Sequence, residues 1–121
     1  MSERDRTARG LLRWLKSIGV ILAVVSWNVE WKALKALEAL GLEGYFDYLV
    51  IEPHPRKDLM FERLLSMVGR VDKAVFVDDN PRMVELVKRA HPRVEVLTYS
   101  REVKSMSDVK EVLIRILDAG G

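Results

Sequence analysis

Short β-branched runs alternate with helix-period segments along this chain, and that alternation restricts the fold more than any other feature. Gly19-Val20-Ile21-Leu22-Ala23-Val24-Val25-Ser26 is apolar at nearly every position, the pattern of a strand buried on both faces. Asn28 to Leu40 follows, with Val29, Ala33, Leu34, Leu37 and Leu40 at helical spacing and Gly41 as the stop. Tyr45 to Ile51 reads as a second strand, closed by Pro53 and Pro55. Lys57 to Val68 reads as a helix with Leu59, Met60, Leu64 and Met67 or Val68 on one face. Lys73 to Val77 is a third strand, Pro81 to Ala90 a helix and Val94 to Thr98 a fourth strand. Ser107 caps a final helix, Asp108 to Asp118. An amphipathic helix over Thr7 to Ser17 precedes them all, with Leu11, Leu12, Leu15 and Ile18 inward. The order α-β-α-β-α-β-α-β-α requires a mostly parallel sheet, because each parallel step needs a crossover and the crossovers cover both faces. The expected fold class is therefore α/β, three layers α/β/α around a four-stranded, mostly parallel sheet.

The 121 residues make one domain, 1–121, with room for one core and not for two. No apolar run approaches the roughly 18 residues of a membrane span. The start, Ser2-Glu3-Arg4-Asp5-Arg6, lacks the apolar stretch of a secretory signal. With no cysteine there are no disulfides and no thiolate metal sites, which fits a cytoplasmic location. His54 and His91 each adjoin a proline and lie far apart, so both read as loop residues rather than ligands. A net charge of +2 allows contact with nucleic acid without requiring it.

Polar residues collect where the strands end, the place where open parallel sheets bind ligands. Asp78 and Asp79 close the third strand in Val75-Phe76-Val77-Asp78-Asp79-Asn80-Pro81. Two adjacent carboxylates repel unless a cation lies between them, and hard oxygen ligands suit Mg²⁺. The competing reading is a helix start: Asn80 as N-cap, Pro81 at the first helical position, Asp79 favoured by the positive helix end. Ser26 ends the first strand just before a helix, so its hydroxyl and the helix N–H groups together could hold a phosphate. Here the alternative is N-capping by Ser26 or by Asn28. Lys57 opens the third helix, where the dipole disfavours a cation; a phosphate or a carboxylate at the sheet mouth would compensate for that placement.

Serine, lysine and then two aspartates on consecutive strand ends resemble the haloacid-dehalogenase-like superfamily. Ser26 matches its second motif, Lys57 its third, and Asp78-Asp79 its fourth. Lys57 to Leu65 looks like the magnesium-dependent phosphatases. Ser26-Trp27-Asn28 and Val77 to Pro81 are similar to the FkbH-like group. The resemblance covers about Leu11 to Thr98 and implies a Rossmannoid fold, Mg²⁺ held by Asp78 and Asp79, and phosphate held by Ser26, Asn28 and Lys57. The superfamily's first motif, a strand ending in Asp-x-Asp-x-Thr that carries the nucleophile, has no counterpart. Glu3-Arg4-Asp5-Arg6-Thr7 imitates its spacing, but Met1-Ser2 cannot form the strand beneath it, and Glu3 would reach one methylene too far.

The resemblance thus implies a domain without its central strand and without a covalent acceptor, and hence without catalysis as given. The Val20–Val25 strand is then expected to pair directly with the Lys73–Val77 strand. Three accounts remain open: a truncated phosphatase, a chain whose partner supplies the missing strand, or a stand-alone derivative that kept the fold. The ordinary start at Met1-Ser2-Glu3 favours a finished terminus. Expected partners are a phosphorylated substrate or a partner protein, with no membrane. Arg82, Lys88, Arg89 and Arg93 form a basic cluster able to meet RNA phosphates, for which a solvated face is the ordinary alternative. Trp27 and Trp31, four apart, are expected to be partly buried, and Trp14 to stand outside the Leu11-Leu15 stripe, exposed.

Overall fold

The computed structural model describes residues 3–119. Met1 and Ser2, on which the reading of the start rests, lie outside the described residues. Five helices and four short strands alternate as expected: α1 (Glu3–Ser17), β1 (Ala23–Trp27), α2 (Glu30–Ala39), β2 (Tyr48–Glu52), α3 (Lys57–Val68), β3 (Val75–Asp78), α4 (Pro81–Ala90), β4 (Glu95–Thr98) and α5 (Met106–Ala119). A 3₁₀ turn, Glu43–Tyr45, precedes β2. Glu3 opens a helix, so the Glu3–Thr7 string does not sit at a strand end.

The sheet departs from expectation. Instead of four strands in one sheet, β1 pairs with β2 and β3 pairs with β4, both in parallel, as two separate two-stranded sheets. The expected pairing of the first strand with the third is not made. One helical layer nevertheless spans both pairs. Met60, Phe61 and Leu64 of α3 and Val84 and Val87 of α4 share a core with Val50 of β2 and Phe76 of β3, with Ala23, Val25 and Val96 packed against it. The Phe61 and Phe76 rings meet edge to face, 5.8 Å between centroids. A second core, Leu11 and Leu15 of α1 with Leu22, Leu97, Val103 and Val109, closes the other face at the β4 end.

Crossover handedness places the two pairs. The α3 and α4 helices pack on each other and so lie on one face, whereas α2 packs on β2 and on the 3₁₀ turn that meets α1. Right-handed crossovers through α3 and α4 both step in one direction across the sheet; that through α2, on the opposite face, steps the other way. Right-handed crossovers of this kind correspond to the order β2-β1, then β3-β4.

Capping explains where the helices start and stop. Asn80 Oδ1 accepts the Arg82 N–H at 3.0 Å, with Pro81 first in α4. The last helix is capped by Ser105 and not by Ser107: the Ser105 hydroxyl accepts the Asp108 N–H at 3.1 Å, and Asp108 returns to the Lys104 N–H at 2.8 Å. Gly41, at φ +68°, turns the chain out of α2 as the Leu42 N–H donates to Leu37 O at 2.9 Å. The stretch Ser100 to Ser105, between β4 and α5, is tied down. Val103 is fully buried, Tyr99 bridges to Val103, and Glu102 accepts the Thr98 N–H at 2.9 Å.

Candidate functional site

The strand pleat aims Phe76 and Asp78 at the same face, toward α3 and α4, because side chains alternate along a strand. Phe76 sinks into the core, and Asp78, at the strand's carboxyl end, meets the start of α3. The Lys57 ammonium donates to Asp78 Oδ2, and the two side chains are 15% and 6% exposed. Asp78 Oδ1 accepts the Asn80 N–H at 2.9 Å. Burial pushes the Asp78 carboxyl up, but the bonds from Lys57 and Asn80 outweigh it and hold the group below the usual carboxylate range. Lys57 sits in the first turn of α3, where the dipole opposes it; Asp78 supplies the anion that this placement calls for.

Asp79, by contrast, is exposed. Of the two readings of the acidic pair, the helix start is seen, with Asn80 capping α4, while Asp78 turns inward to the lysine. As a metal centre the donor set does not fit. Mg²⁺ takes near-octahedral oxygen coordination, whereas one of the two carboxylates is already neutralised by an ammonium. No cluster of three or more His, Cys, Asp or Glu side chains forms among the described residues.

Ser26 and Asn28 lie at the carboxyl end of β1. In the parallel register Ser26 stands opposite Ile51 and Trp27 opposite Glu52. The pleat puts Ser26 on the face opposite Val25, away from α3. The Asn28 N–H donates to Glu52 O at 3.0 Å, and Asn28 Oδ1 accepts the Val29 N–H at 2.7 Å. Neither residue caps α2, whose N-cap is Val29 without a side-chain bond. The structure therefore joins Lys57 to Asp78, while Asn28 bonds to Glu52 and Val29 instead.

A second polar cluster escaped sequence reading. Glu52, the last residue of β2, accepts from Arg63 and from His54 Nε2, the latter at 2.6 Å. His54 Nδ1 in turn accepts the Arg56 N–H at 3.2 Å, so the neutral ring carries its proton on Nε2. His54 is a loop residue, as expected, but a tied one. Arg56 grips Asp58 with both Nε (3.0 Å) and Nη2 (2.8 Å), and this guanidinium, against a burial cost, holds the Asp58 carboxyl below its usual range. Together these bonds fix the Pro53-His54-Pro55 turn that delivers Lys57. The sequence signal was the Glu-x-His at a strand end with a proline on either side of the histidine.

Expectations for the aromatics reverse. Trp27 and Trp31 are 56% and 59% exposed. Trp14 is half-buried against the second core, with the Lys110 ammonium 4.9 Å from its ring centroid. Along α2, where a buried stripe was expected, only Ala33 is buried; Val29, Leu34 and Leu40 are exposed, as are Ile18 of the first stripe and Leu59 and Met67 of the third. Arg82, Lys88, Arg89 and Arg93 are all exposed, and Arg89 pairs with Glu85 at 3.0 Å. Among the described residues, no helix is long and apolar enough to cross a membrane.

No protein-family model matches this chain. It is similar to a phosphoglycolate phosphatase of Aquifex aeolicus (strain VF5), 37% identical over 84 residues, which cover 65% of this chain and 39% of that protein. The chain thus spans well under two thirds of that relative's length. The partial similarity supports a haloacid-dehalogenase-like phosphohydrolase origin and no finer assignment.

Proposed function

We propose that this chain is a haloacid-dehalogenase-like domain of phosphohydrolase origin that does not hydrolyse phosphate esters by itself. The Lys57–Asp78 pair carries the reading. Asp78 has both oxygens engaged, one by the ammonium and one by the Asn80 N–H, and a paired, low-pKa carboxylate is a poor nucleophile. Lys57 is equally committed, so its charge is not free for a phosphate. In the phosphatase-like arrangement Ser26, Asn28 and Lys57 would hold phosphate, and Asp78 with Asp79 would hold Mg²⁺. With the lysine on Asp78 that cation has no complete donor set, and no catalytic step is derived through it.

A second reading follows from the exposed Trp27 and Trp31: a non-catalytic binding or scaffold subunit of a larger assembly. In a ribonucleoprotein, the solvated Arg82, Lys88, Arg89 and Arg93 would meet the RNA backbone. The deciding assay is hydrolysis of a generic aryl phosphate by the purified chain, with and without Mg²⁺, beside Asp78→Asn. We expect no turnover above the variant. Metal-dependent turnover abolished by Asp78→Asn would overturn the inactive reading and show that a nucleophile operates within the chain.

A further inference from the structure

We infer that the groove between β4 and α5 binds a free basic amino acid of the lysine kind. Both elements line it: Glu95, Leu97 and Glu102 from β4 and the turn after it, and Val112, Arg115 and Ile116 from α5. Its volume is about 450 Å³, within the range of small-molecule sites. None of these residues belongs to the Lys57–Asp78 cluster or to the bonds that fix the Pro53-His54-Pro55 turn.

Backbone contacts order the lining along the groove. The Lys73 ammonium donates to Ile116 O at 3.0 Å, and the Glu95 N–H donates to Ala74 O at 3.0 Å. The late turns of α5 and the start of β4 therefore share one end of the β3–β4 pair, which brings Arg115 and Glu95 to that end. At the other end Glu102 accepts the Thr98 N–H at 2.9 Å, so its carboxylate sits beside the last residue of β4. Leu97, two residues after Glu95 and on the same face of the strand, is buried among the second core and forms the floor. Val112 and Ile116, one helical turn apart, are half-buried along the wall. The groove thus reads Glu95 with Arg115, then an apolar stretch, then Glu102.

That order selects the ligand. A carboxylate beside a guanidinium matches the α-ammonium and α-carboxylate of a free amino acid, the guanidinium presenting a planar fork to the carboxylate. The apolar stretch covers a chain of methylenes, and Glu102 receives the terminal ammonium. Glu95 and Glu102 against Arg115 leave the lining one charge negative, although the chain as a whole carries +2; a lysine-like ligand brings the one positive charge that complements it. Among the described residues, Glu95, Glu102 and Arg115 form no salt bridge. The Glu102 carboxyl is held below its usual range by its own backbone N–H and by that of Thr98, with Arg101 adding to the effect, so it meets the ligand charged. The inference depends on this groove alone and stands or falls separately from the phosphohydrolase reading.

The test is amide chemical-shift mapping of the 121-residue chain with L-lysine and three analogues. Norleucine lacks the terminal ammonium, cadaverine lacks the carboxylate, and N-acetyl-lysine amide has its amino-acid head blocked. The expected result is saturable shifts confined to residues 95–102 and 112–116, with a Kd for lysine on the order of 1 mM. Each analogue should bind about tenfold more weakly or worse. Glu102→Gln keeps an oxygen for the Thr98 N–H and should reduce lysine to the level of norleucine. Arg115→Met, at an exposed position, should weaken lysine and norleucine together and leave cadaverine and the thermal stability unchanged. Norleucine binding as tightly as lysine would overturn the inference, as would a lysine response unchanged in both variants. Saturable shifts absent, or centred on other residues, would do the same. Equal binding of N-acetyl-lysine amide would assign the groove to a lysine side chain of a partner protein and overturn the free ligand.

Discussion

Replacing Lys57 by methionine should cost the fold about 2–3 kcal/mol at neutral pH. Removing one partner of a fully buried ion pair costs about 3–5 kcal/mol, because the remaining charge is stranded. Here the value falls at or below the low end, since Asp78 keeps the Asn80 N–H on Oδ1 and loses its partner only on Oδ2. For a chain of this size about 1 kcal/mol corresponds to about 4 °C in Tm, so the expected loss is about 8–12 °C, read by calorimetry and urea unfolding. The pH dependence identifies the cause. In the wild type the Asp78 carboxyl lies below its unfolded value, so its contribution is complete above about pH 4 and disappears as the pH falls through the folded pKa. Without Lys57, burial raises the same carboxyl, and protonation relieves the variant as the pH drops. The gap between the two proteins should therefore be widest at pH 7, narrow toward about pH 4 as the variant's carboxyl takes up its proton, and close only below that, as the wild-type carboxyl does so. The double variant Lys57→Met/Asp78→Asn should regain most of the loss. A gap that stays constant from pH 7 to 4, or a double variant no better than the single, would refute the assignment of the lost stability to a stranded Asp78 charge.

Acid sensitivity should extend to the whole chain. Asp47, Asp58, Asp78 and Glu102 all lie below their ordinary values. Stability is then flat above about pH 5 and falls on acidification below about pH 4, and a urea midpoint that rises on acidification would contradict these pairings. Gly41→Ala should lose about 1–2 kcal/mol. It places a Cβ at a left-handed position, φ +68°, with Arg9 Nη2 only 2.5 Å from that carbon, and displaces the Arg9 bond to Leu40 O. In an Arg9→Ala background the same change should cost less, and an undiminished cost would place the whole effect in the backbone.

Helix limits were most legible where the sequence carried its own punctuation. The expected and observed bounds of α3 and α4 coincide, Lys57–Val68 and Pro81–Ala90. Proline, Asn80 and the glycine after Val68 each act through local backbone geometry, which needs no tertiary context. Strand starts were less legible. Gly19 to Leu22 shares the apolar character of β1 but runs ahead of it, because the Leu22 N–H is taken by Asp47 Oδ2 at 2.9 Å instead of by a neighbouring strand. The Lys57–Asp78 contact came within reach of the sequence, since a lysine at a helix start needs an anion and Asp78 ends the next strand.

Which strand lies beside which is a different kind of information. An apolar run reports that it will be buried on both faces, and β1 and β3 both carry such runs, yet nothing in either names its neighbour. Backbone hydrogen bonds along parallel edges are made by amides that every sequence has, so pairing follows from crossovers and layers rather than from side-chain pattern. The same gap accounts for the tryptophans. Trp27 and Trp31 have the spacing of a buried face, and spacing predicts burial only if a surface exists for that face to meet. β1 and β3 do not pair with each other, so α2 rests on a two-stranded sheet, and its stripe of Val29, Leu34 and Leu40 stays in solvent. An amphipathic helix read correctly from its period, but found uncovered, is therefore an argument about the sheet beneath it: the apolar face is sound, and a two-stranded sheet is too narrow to cover it.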